Sequence, residues 1–528
     1  MMRDFQRPGR STAYAERGMV ASSHPLATLT GLDVLRAGGN AMDAAIAAAA
    51  VLCVAEPHMT GIGGDVFALY APAAGGVLAL NGSGRAPQAA TPERMAALGV
   101  GSIGPDSVHA VTVPGAVDAW CRLHGDHATL PLDLLLEPAA ALAEDGCLVQ
   151  PRVARDWAAG AARLSRLPAT RALLLPGGRP PAEGDRFRNP ALAATLRRIA
   201  RHGRAGFYDG PVLDDLLTTL RASGGLHTTD DFAAQRCEYV TPIATTYNGF
   251  TVHECPPNGQ GLAALMLLNT LAGTPADAPE ASEADRVHWL AEATKLVYGE
   301  RDALLGDPRF TLVPVDALLG SATAARLRAR IAGDRSLPDP APLCEPHRDT
   351  IYLCVVDRDR NAVSFINSLF DAFGSAIAAP QSGVLFHCRG RAFRTEPGHP
   401  NSIAPGKRPL HTIIPGMVTH NGRTIMPFGV MGGQYQAVGH AQFLMDTLGR
   451  GLDLQEAVDR PRSFVEDGVL RLETGHDPSL LPALRARGHR VERAAGPIGG
   501  AQAIRVDHDR GILIGASDPR KDGMALGW

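Results

Sequence analysis

The sequence has few cysteines, no long apolar run and no excess of basic residues. Eight cysteines are scattered over 528 residues and form no C-x-x-C pair, so we predict reduced thiols and neither a disulfide framework nor a zinc ribbon. Lysine plus arginine number 51 against 54 for aspartate plus glutamate, which leaves a formal net charge of −3. Because a chain this close to neutral cannot neutralise a phosphate backbone, we expect no nucleic-acid partner.

A membrane-spanning or secretory segment is also missing. The best apolar run, Ala44–Ala55, is well short of the roughly 18 residues that cross a bilayer. The charged start of the chain, residues 1–8, is followed by no apolar stretch of the kind that forms a secretory signal. We therefore expect a cytoplasmic protein with no membrane partner.

What is present is an ordinary globular composition, with 45% hydrophobic and 20% charged residues. The 58 glycines and 40 prolines predict many short turns. Helical spacing predicts helices over residues 29–37, 41–54 and 283–304, and Asn40 is placed to cap the second of them. Short apolar runs at 76–80 and 108–113 predict strands.

The amino-acid composition changes near the last third of the chain. Residues 336–349 contain four prolines, which exclude a helix or an interior strand and predict an extended surface linker. A strand is predicted directly afterwards over 350–357, and a second strand over 362–370 after a turn. The turn imitates the opening of a calcium loop, but Ala362 and Ser368 stand where that loop requires Gly and Glu. We interpret it as a polar hairpin turn.

Several familiar catalytic motifs are absent or incomplete. Residues 61–65 read Gly-Ile-Gly-Gly-Asp but lack the spacing of a dinucleotide site, so we interpret them as a tight turn. No H-E-x-x-H, G-x-S-x-G or G-x-x-x-x-G-K-[ST] occurs. The sequence therefore gives no support to a zinc protease, a serine hydrolase with a nucleophile elbow or a P-loop enzyme.

Thr350, at the junction of the proline-rich linker and the strand, has a possible chemical use. If the peptide bond between Asp349 and Thr350 were cut, Thr350 would carry both a hydroxyl nucleophile and a free α-amine. An α-amine has a pKa of about 7.7–8.0 and can act as the base for the neighbouring hydroxyl. On its own this is a weak signal, because many strands begin with threonine.

Other segments of the chain strengthen the interpretation of Thr350 as a nucleophile, since together they resemble the γ-glutamyltransferase family. They occur in the family's order and cover nearly the whole chain: Gly38–Ala45, Glu56–Gly64, Thr350–Val363, Phe373–Ser375, Pro405–Leu410, Gly432-Gly433 and Gly515–Arg520. The resemblance implies an α+β fold, the four-layer αββα sandwich of N-terminal-nucleophile hydrolases. It also implies a precursor that cleaves itself into a large chain, 1–349, and a small chain, 350–528, which together form one folded unit.

The resemblance also implies roles for individual residues. Thr350 occupies the position of the nucleophile, and Ser368 that of a hydroxyl residue that assists it. Gly432 and Gly433 occupy the oxyanion-hole position, although they would also suit a simple turn after a strand. No metal or organic cofactor is implied.

Five other positions depart from the family members that bind a γ-glutamyl group. Phe370 stands in place of an Asn, and Arg389 and Ala392 stand in place of a Gln and an Asp that help to hold the α-amino group. His411 and Thr412 replace a pair of serines that contact the α-carboxylate. An ammonium group facing Arg389 would meet repulsion rather than attraction.

Arg85, in the run Gly-Ser-Gly-Arg-Ala-Pro, and Arg389 would instead suit a small acid whose carboxylate lies close to the scissile amide. Together these features are most similar to the oxamate amidohydrolase branch of the family. We therefore predict an amidohydrolase acting on a small carboxylated amide. A γ-glutamyltransferase or glutathione hydrolase, and an unprocessed homologue without catalytic activity, remain alternatives.

Overall fold

The computed structural model describes residues 9–338 and 350–528, so Asp349 of the predicted cleavage site and most of the predicted linker lie outside the described residues. The described ranges contain these strands: β1 Ala13–Ala15, β2 Met19–Ser22, β3 Asp65–Ala71, β4 Leu78–Gly82, β5 Cys147–Leu148, β6 Arg186–Phe187, β7 Glu238–Val240, β8 Ile243–Tyr247, β9 Phe250–Glu254, β10 Ile351–Val356, β11 Ala362–Ser368, β12 Ala378–Ala379, β13 Val384–Leu385, β14 Gly416–His420, β15 Arg423–Met431, β16 Ser463–Glu466, β17 Val469–Leu472, β18 Val491–Arg493, β19 Gly500–Asp507, β20 Ile512–Ser517 and β21 Met524–Gly527.

The α-helices of the same ranges are α1 Pro25–Arg36, α2 Ala41–Ala55, α3 Pro92–Ala97, α4 Ala116–His127, α5 Leu132–Asp145, α6 Pro151–Leu164, α7 Pro168–Leu174, α8 Pro190–His202, α9 Ala205–Tyr208, α10 Gly210–Ala222, α11 Thr229–Ala234, α12 Gly261–Leu271, α13 Glu283–Leu304, α14 Val315–Leu319, α15 Ser321–Arg328, α16 Gln436–Leu444, α17 Leu454–Asp459 and α18 Leu480–Ala486. None of these helices is both long enough and apolar enough to cross a bilayer.

Two seven-stranded sheets form the centre of the molecule. One has the order β21-β2-β10-β11-β3-β4-β7 and the other β1-β20-β19-β15-β14-β9-β8. Helices α1, α2 and α4 pack on the first sheet, with α5 against α2, and α12 and α16 pack on the second sheet. The result is the four-layer αββα sandwich that the sequence predicted.

The two sheets are in close contact where β10 and β11 cross β15. The ring of Tyr352 lies against Gly429, where a Cβ atom would come within 2.4 Å of the ring. The hydroxyls of Tyr352 and Ser364 are 2.8 Å apart, and Ser364 Oγ donates to the carbonyl of Phe428 at 3.2 Å. Because Tyr352 is near the start of β10 and Gly429 near the end of β15, those two strand ends lie at the same edge of the sandwich.

Helix α2 shows how local sequence produces one of the outer layers. Asn40 Oδ1 accepts from the backbone N–H groups of Met42 and Asp43, while Asp43 Oδ2 accepts from the Asn40 N–H, a complete capping box. Every residue of the helix is buried. Its many alanines allow α1, α5 and the first sheet to approach it closely, so the predicted cap and helix are confirmed.

Other sequence predictions fare differently. The helix over 283–304 and the strands around the turn at Asp357 are confirmed, and Asp357 accepts backbone N–H bonds within a polar turn as expected. The strand predicted over 76–80 begins two residues later. The strand predicted over 108–113 is wrong, because Val108–Ala110 forms a 3₁₀ turn. The valines of this segment are buried in the hydrophobic core. The apolar run therefore reflects burial of the segment, not pairing in a sheet.

Candidate active site

Thr350 and Ser368 meet at the strand ends. Ile351 of β10 pairs with Asn367 of β11, so the next antiparallel step places Thr350 opposite Ser368, and Ser368 in turn pairs with Asp65 at the start of β3. Thr350 is 1% exposed, and its Oγ1 has no hydrogen-bond partner within the described part of the chain. Ser368 Oγ accepts from the N–H of Phe370 at 2.9 Å. The buried hydroxyl of Thr350 is thus not committed to a structural bond.

Gly432 and Gly433 follow β15 directly, at the edge of the sandwich where β10 begins. Their φ angles are +128° and +59°, in the region that favours glycine. A Cβ atom at Gly432 would also come within 2.8 Å of the Cα of Gly499. The backbone conformation of this turn therefore strongly favours glycine. The turn lies at the same edge of the sandwich as Thr350.

Gln260 connects this glycine turn to the segment that carries His411 and Thr412. Its Nε2 donates to the carbonyls of Thr412 at 2.9 Å and Gly433 at 3.1 Å. Its Oε1 accepts from Arg301 Nη1 at 2.7 Å. Sequence analysis missed Gln260 and Arg301, and no local signal could have found them. Gln260 contacts residues 152 and 173 positions away, and Arg301 contacts Gln260 at 41 positions and Gln434 at 133 positions.

Arg389 is the most unusual side chain of the site. It is 1% exposed, its Nη1 donates to Thr412 Oγ1 at 2.9 Å, and its Cζ lies 3.9 Å from the ring centre of Phe370. Its Nε and Nη2 have no hydrogen-bond partner among the described residues. Burial lowers the pKa of Arg389 to about 9, against the attraction of Asp65, so the group stays positive at neutral pH.

Asp65 and His411 form a buried pair next to Arg389. His411 Nε2 lies 3.1 Å from Asp65 Oδ2, while Asp65 Oδ1 accepts from the N–H groups of Gly84 and Gly115 at 3.0 and 3.2 Å. Burial raises the pKa of Asp65 to about 7, although Arg389 and the two N–H groups favour the charged form. The sequence had predicted for Asp65 only a place at the end of the tight turn over residues 61–65.

Arg85 lies in a different environment from Arg389. Its Nη2 donates to Glu238 Oε1 at 2.6 Å, and its Nη1 lies 3.7 Å from Asp307 Oδ2 and donates to the carbonyl of Gly406 at 3.2 Å. Arg408 pairs with the other oxygen of Glu238. Because its guanidinium is already paired with carboxylates, this arrangement does not support the predicted role of Arg85 as a substrate ligand.

The geometry can be compared with known proteins. The family model for gamma-glutamyltranspeptidase matches residues 27–528. A glutathione hydrolase-like proenzyme of Bacillus subtilis (strain 168) is 37% identical over 522 residues, 96% of this chain and 98% of that protein. An oxamate amidohydrolase proenzyme of Klebsiella pneumoniae subsp. pneumoniae is 36% identical over 533 residues, 98% of this chain and 100% of that protein.

A solved structure extends the likeness to three dimensions. Cephalosporin acylase from Bacillus halodurans matches with a TM-score of 0.93 at 39% identity, and the match covers 100% of this chain and 99% of that one. The similarities extend over nearly the whole length of the chain, and both sequence relatives are named as proenzymes. The chain belongs to the gamma-glutamyltranspeptidase family of N-terminal-nucleophile hydrolases.

Proposed function

We propose that this chain is a self-processing threonine amidohydrolase that hydrolyses the amide bond of a small carboxylated, oxamate-like substrate. The observation that carries the proposal is Arg389, a buried cation with two nitrogens that no described residue engages. Leaving charged donors unpaired in the interior is costly, and a carboxylate satisfies two of them at once. Such a site is built for an anionic ligand.

Self-processing begins with the hydroxyl of Thr350. Its Oγ attacks the carbonyl carbon of Asp349, the peptide nitrogen takes the proton, and the chain passes through an ester between Asp349 and Thr350. Water then hydrolyses the ester, which leaves a carboxylate on Asp349 and a free α-amine on Thr350. The burial of Thr350 supports this role, as does the lack of a hydrogen-bond partner for its hydroxyl among the residues that the structure describes.

The same hydroxyl then serves the substrate. The α-amine of Thr350 accepts the Oγ proton as Oγ attacks the amide carbonyl, and the backbone N–H groups of Gly432 and Gly433 stabilise the oxyanion. The proton passes to the leaving nitrogen, ammonia or an amine departs, and water releases the acid from the acyl ester. Ser368 would assist Thr350 from the neighbouring strand end, and His411 and Thr412 would hold Arg389 and the acid in place.

Electrostatics favours an acid without an α-amino group. A second positive charge about 4 Å from Arg389 would cost about 4 kcal/mol at an effective dielectric constant near 20. Asp65 is the nearby carboxylate, but both of its oxygens already accept hydrogen bonds. A γ-glutamyl substrate would therefore bind poorly unless its amino group lay away from this cluster.

Hydrolysis of glutathione or of a larger acyl amide is the second candidate. It is favoured by the 37% identity to a glutathione hydrolase-like proenzyme and by the likeness to cephalosporin acylase. Both reactions would use Thr350 in the same way and differ only in the acyl group. An amide panel of oxamate, glutaryl amides, γ-glutamyl anilide and glutathione separates the candidates.

The test combines processing with that panel. The purified protein should run on denaturing gels as fragments of about two thirds and about one third of the 55.5 kDa chain, and N-terminal sequencing should find the smaller one starting at Thr350. Thr350→Ala should leave the chain intact and inactive, whereas Thr218→Ala, an exposed threonine on α10, should change neither. An intact but active chain would refute the mechanism, and release of glutamate but no ammonia from oxamate would refute the substrate.

A further inference from the structure

A second buried cluster of side chains lies away from Thr350. His288 and Glu292 are one turn apart on α13, and His489 lies between α18 and β18. One ligand atom from each of the three residues lies within 4.8 Å of the others, and all three side chains are buried. Two imidazoles and one carboxylate are the ligand set of many three-ligand zinc sites.

The two imidazoles are oriented as metal ligands are. His288 Nε2 lies 2.7 Å from the carbonyl of Ala332, which fixes the proton on that nitrogen. The lone pair of His288 Nδ1 therefore points into the cluster, where His489 Nε2 lies 2.7 Å away. A metal ion between the rings would replace the single proton that they now share. It would also need the two nitrogens to separate by about 0.6 Å, since ligand nitrogens at about 2.0–2.1 Å from a tetrahedral ion lie about 3.3 Å apart.

Glu292 completes the set. Its Oε2 accepts from the N–H of Leu337 at 2.6 Å. Its Oε1 lies 2.9 Å from the ammonium of Lys295, as an ion pair, and 3.8 Å from His489 Nδ1. The side chain is fully buried, and one of its oxygens is close enough to both imidazoles to serve as a ligand of the same ion.

We propose that His288, Glu292 and His489 form a binding site for one divalent transition metal ion with the preferences of Zn²⁺. His288 and Glu292 belong to residues 1–349, and His489 belongs to residues 350–528. If the chain is cleaved as proposed above, the ion would join the large and small chains through residues other than those of the candidate active site. The site itself does not depend on that cleavage.

Lys295 would compete with this ion for the carboxylate of Glu292. Its ammonium lies 2.9 Å from Glu292 Oε1 and donates to the carbonyl of Leu337 at 3.1 Å. It also lines an open cleft with Ser336 and Gly488, so the flexible side chain can move towards solvent when an ion binds. Removing this charge should tighten metal binding, because the ion no longer displaces a cation from the carboxylate.

The test is a titration of the full-length, metal-stripped protein with Zn²⁺ and Co²⁺. We expect one ion per chain with micromolar or tighter affinity, and a Co²⁺ absorption spectrum typical of a tetrahedral N/O site. His489→Asn should weaken binding at least about 100-fold, Lys295→Met should tighten it about tenfold, and His202→Asn, an exposed histidine, should have no effect. Zn²⁺ should raise the unfolding temperature of the wild type by about 3 °C but not that of His489→Asn.

Two results would overturn the proposal: no stoichiometric ion in the wild type, or equal affinity in the wild type and His489→Asn. If His489→Asn does not fold, Lys295→Met decides, because unchanged affinity there means that the ion is not at Glu292. The unprocessed Thr350→Ala chain should bind the ion as well as the wild type. Failure of the proposed catalysis would therefore leave metal binding intact, and failure of metal binding would leave the catalysis untouched.

Discussion

At the scale of single residues, Arg389 is a buried cation with more hydrogen-bond donors than partners among the described residues. A guanidinium can form five hydrogen bonds, yet among residues 9–338 and 350–528 this one donates a single hydrogen bond, to Thr412, and lies against the face of Phe370. In the family members that bind an α-amino group this position carries an amide. Under the proposed function, this exchange would reverse the electrostatic preference of the pocket and favour anionic acyl groups.

Replacement of Arg389 tests this directly. Arg389→Met keeps the apolar stem and removes the charge, so we expect the KM for a carboxylated amide to rise about 10- to 100-fold while kcat changes less. Steady-state kinetics on oxamate and on an uncharged amide of similar size provide the measurement. The uncharged amide should lose little, and an equal loss on both amides would argue against a carboxylate contact.

Arg85→Met is the matched control at the other arginine. Because Arg85 is paired with Glu238 and lies close to Asp307, we expect a lower unfolding temperature and a KM within about twofold of the wild type. A rise in KM comparable to that of Arg389→Met would restore Arg85 as a substrate ligand.

The turn at Gly432 and Gly433, the proposed oxyanion hole, gives a second prediction at this scale. Gly432→Ala would force a side chain into a positive φ and towards Gly499, so the N–H groups would shift and kcat should fall about 10²- to 10³-fold. Gly451→Ala separates strain from catalysis, because Gly451 also has a positive φ of +66° but open space around it. That control should cost about 1 kcal/mol of stability and leave kcat unchanged in the same assay.

At the scale of elements, helix α1 begins with a histidine cap. His24 Nδ1 accepts from the N–H of Leu26 at 3.2 Å, which requires an unprotonated Nδ1. Burial, with a smaller contribution from the charge of His58, lowers the pKa of His24 to about 4. A buried neutral histidine of this kind makes the start of the helix sensitive to acid.

The sign of the pH effect follows from the lowered pKa. The unfolded chain takes up a proton near pH 6.5 and the folded chain only near pH 4, so the stability contributed by neutral His24 is present above pH 6.5 and lost as the pH falls to 4. The loss amounts to about 3 kcal/mol. His24→Asn retains a capping oxygen and does not titrate, so its free energy of unfolding should fall by about that much less between pH 7 and pH 4.

Urea unfolding at several pH values measures this difference. His202→Asn, at the exposed end of α8, serves as the control and should follow the wild type. The same acid sensitivity in His24→Asn as in the wild type would mean that other groups dominate the acid transition.

At the scale of the whole molecule, both large sheets take strands from each side of residue 350. The first sheet combines β2, β3, β4 and β7 with β10, β11 and β21, and the second combines β1, β8 and β9 with β14, β15, β19 and β20. Cleavage before Thr350 would therefore leave every strand of residues 9–338 and 350–528 unbroken. The two chains would remain joined by the backbone hydrogen bonds of both sheets and by two continuous cores.

We accordingly expect the processed protein to elute from a sizing column in native buffer as one species no smaller than the intact chain. The fragments should separate only in denaturant. Thr350→Ala provides the uncut reference for the same column. Elution of free fragments in native buffer would contradict the shared sheets.

The sequence by itself determined the elements whose signals are local. The capping box of α2, the helix over 283–304, the strand pair around Asp357 and the position of Thr350 at a strand start can be predicted from neighbouring residues, since caps, periodicity and turns act over a few positions. The ordered motifs likewise identified the family and its sandwich fold.

Only the tertiary structure decided which side chains meet. It shows a 3₁₀ turn where a strand was predicted over 108–113, pairs Arg85 with Glu238, and brings Gln260 to Gly433 and His288 to His489. It also leaves two guanidinium nitrogens of Arg389 without a hydrogen-bond partner in the part of the chain that it describes. These contacts join residues that are far apart in the chain. Whether a charged side chain is buried and whether it is paired depend on which distant segments fold together, and no local sequence pattern predicts this.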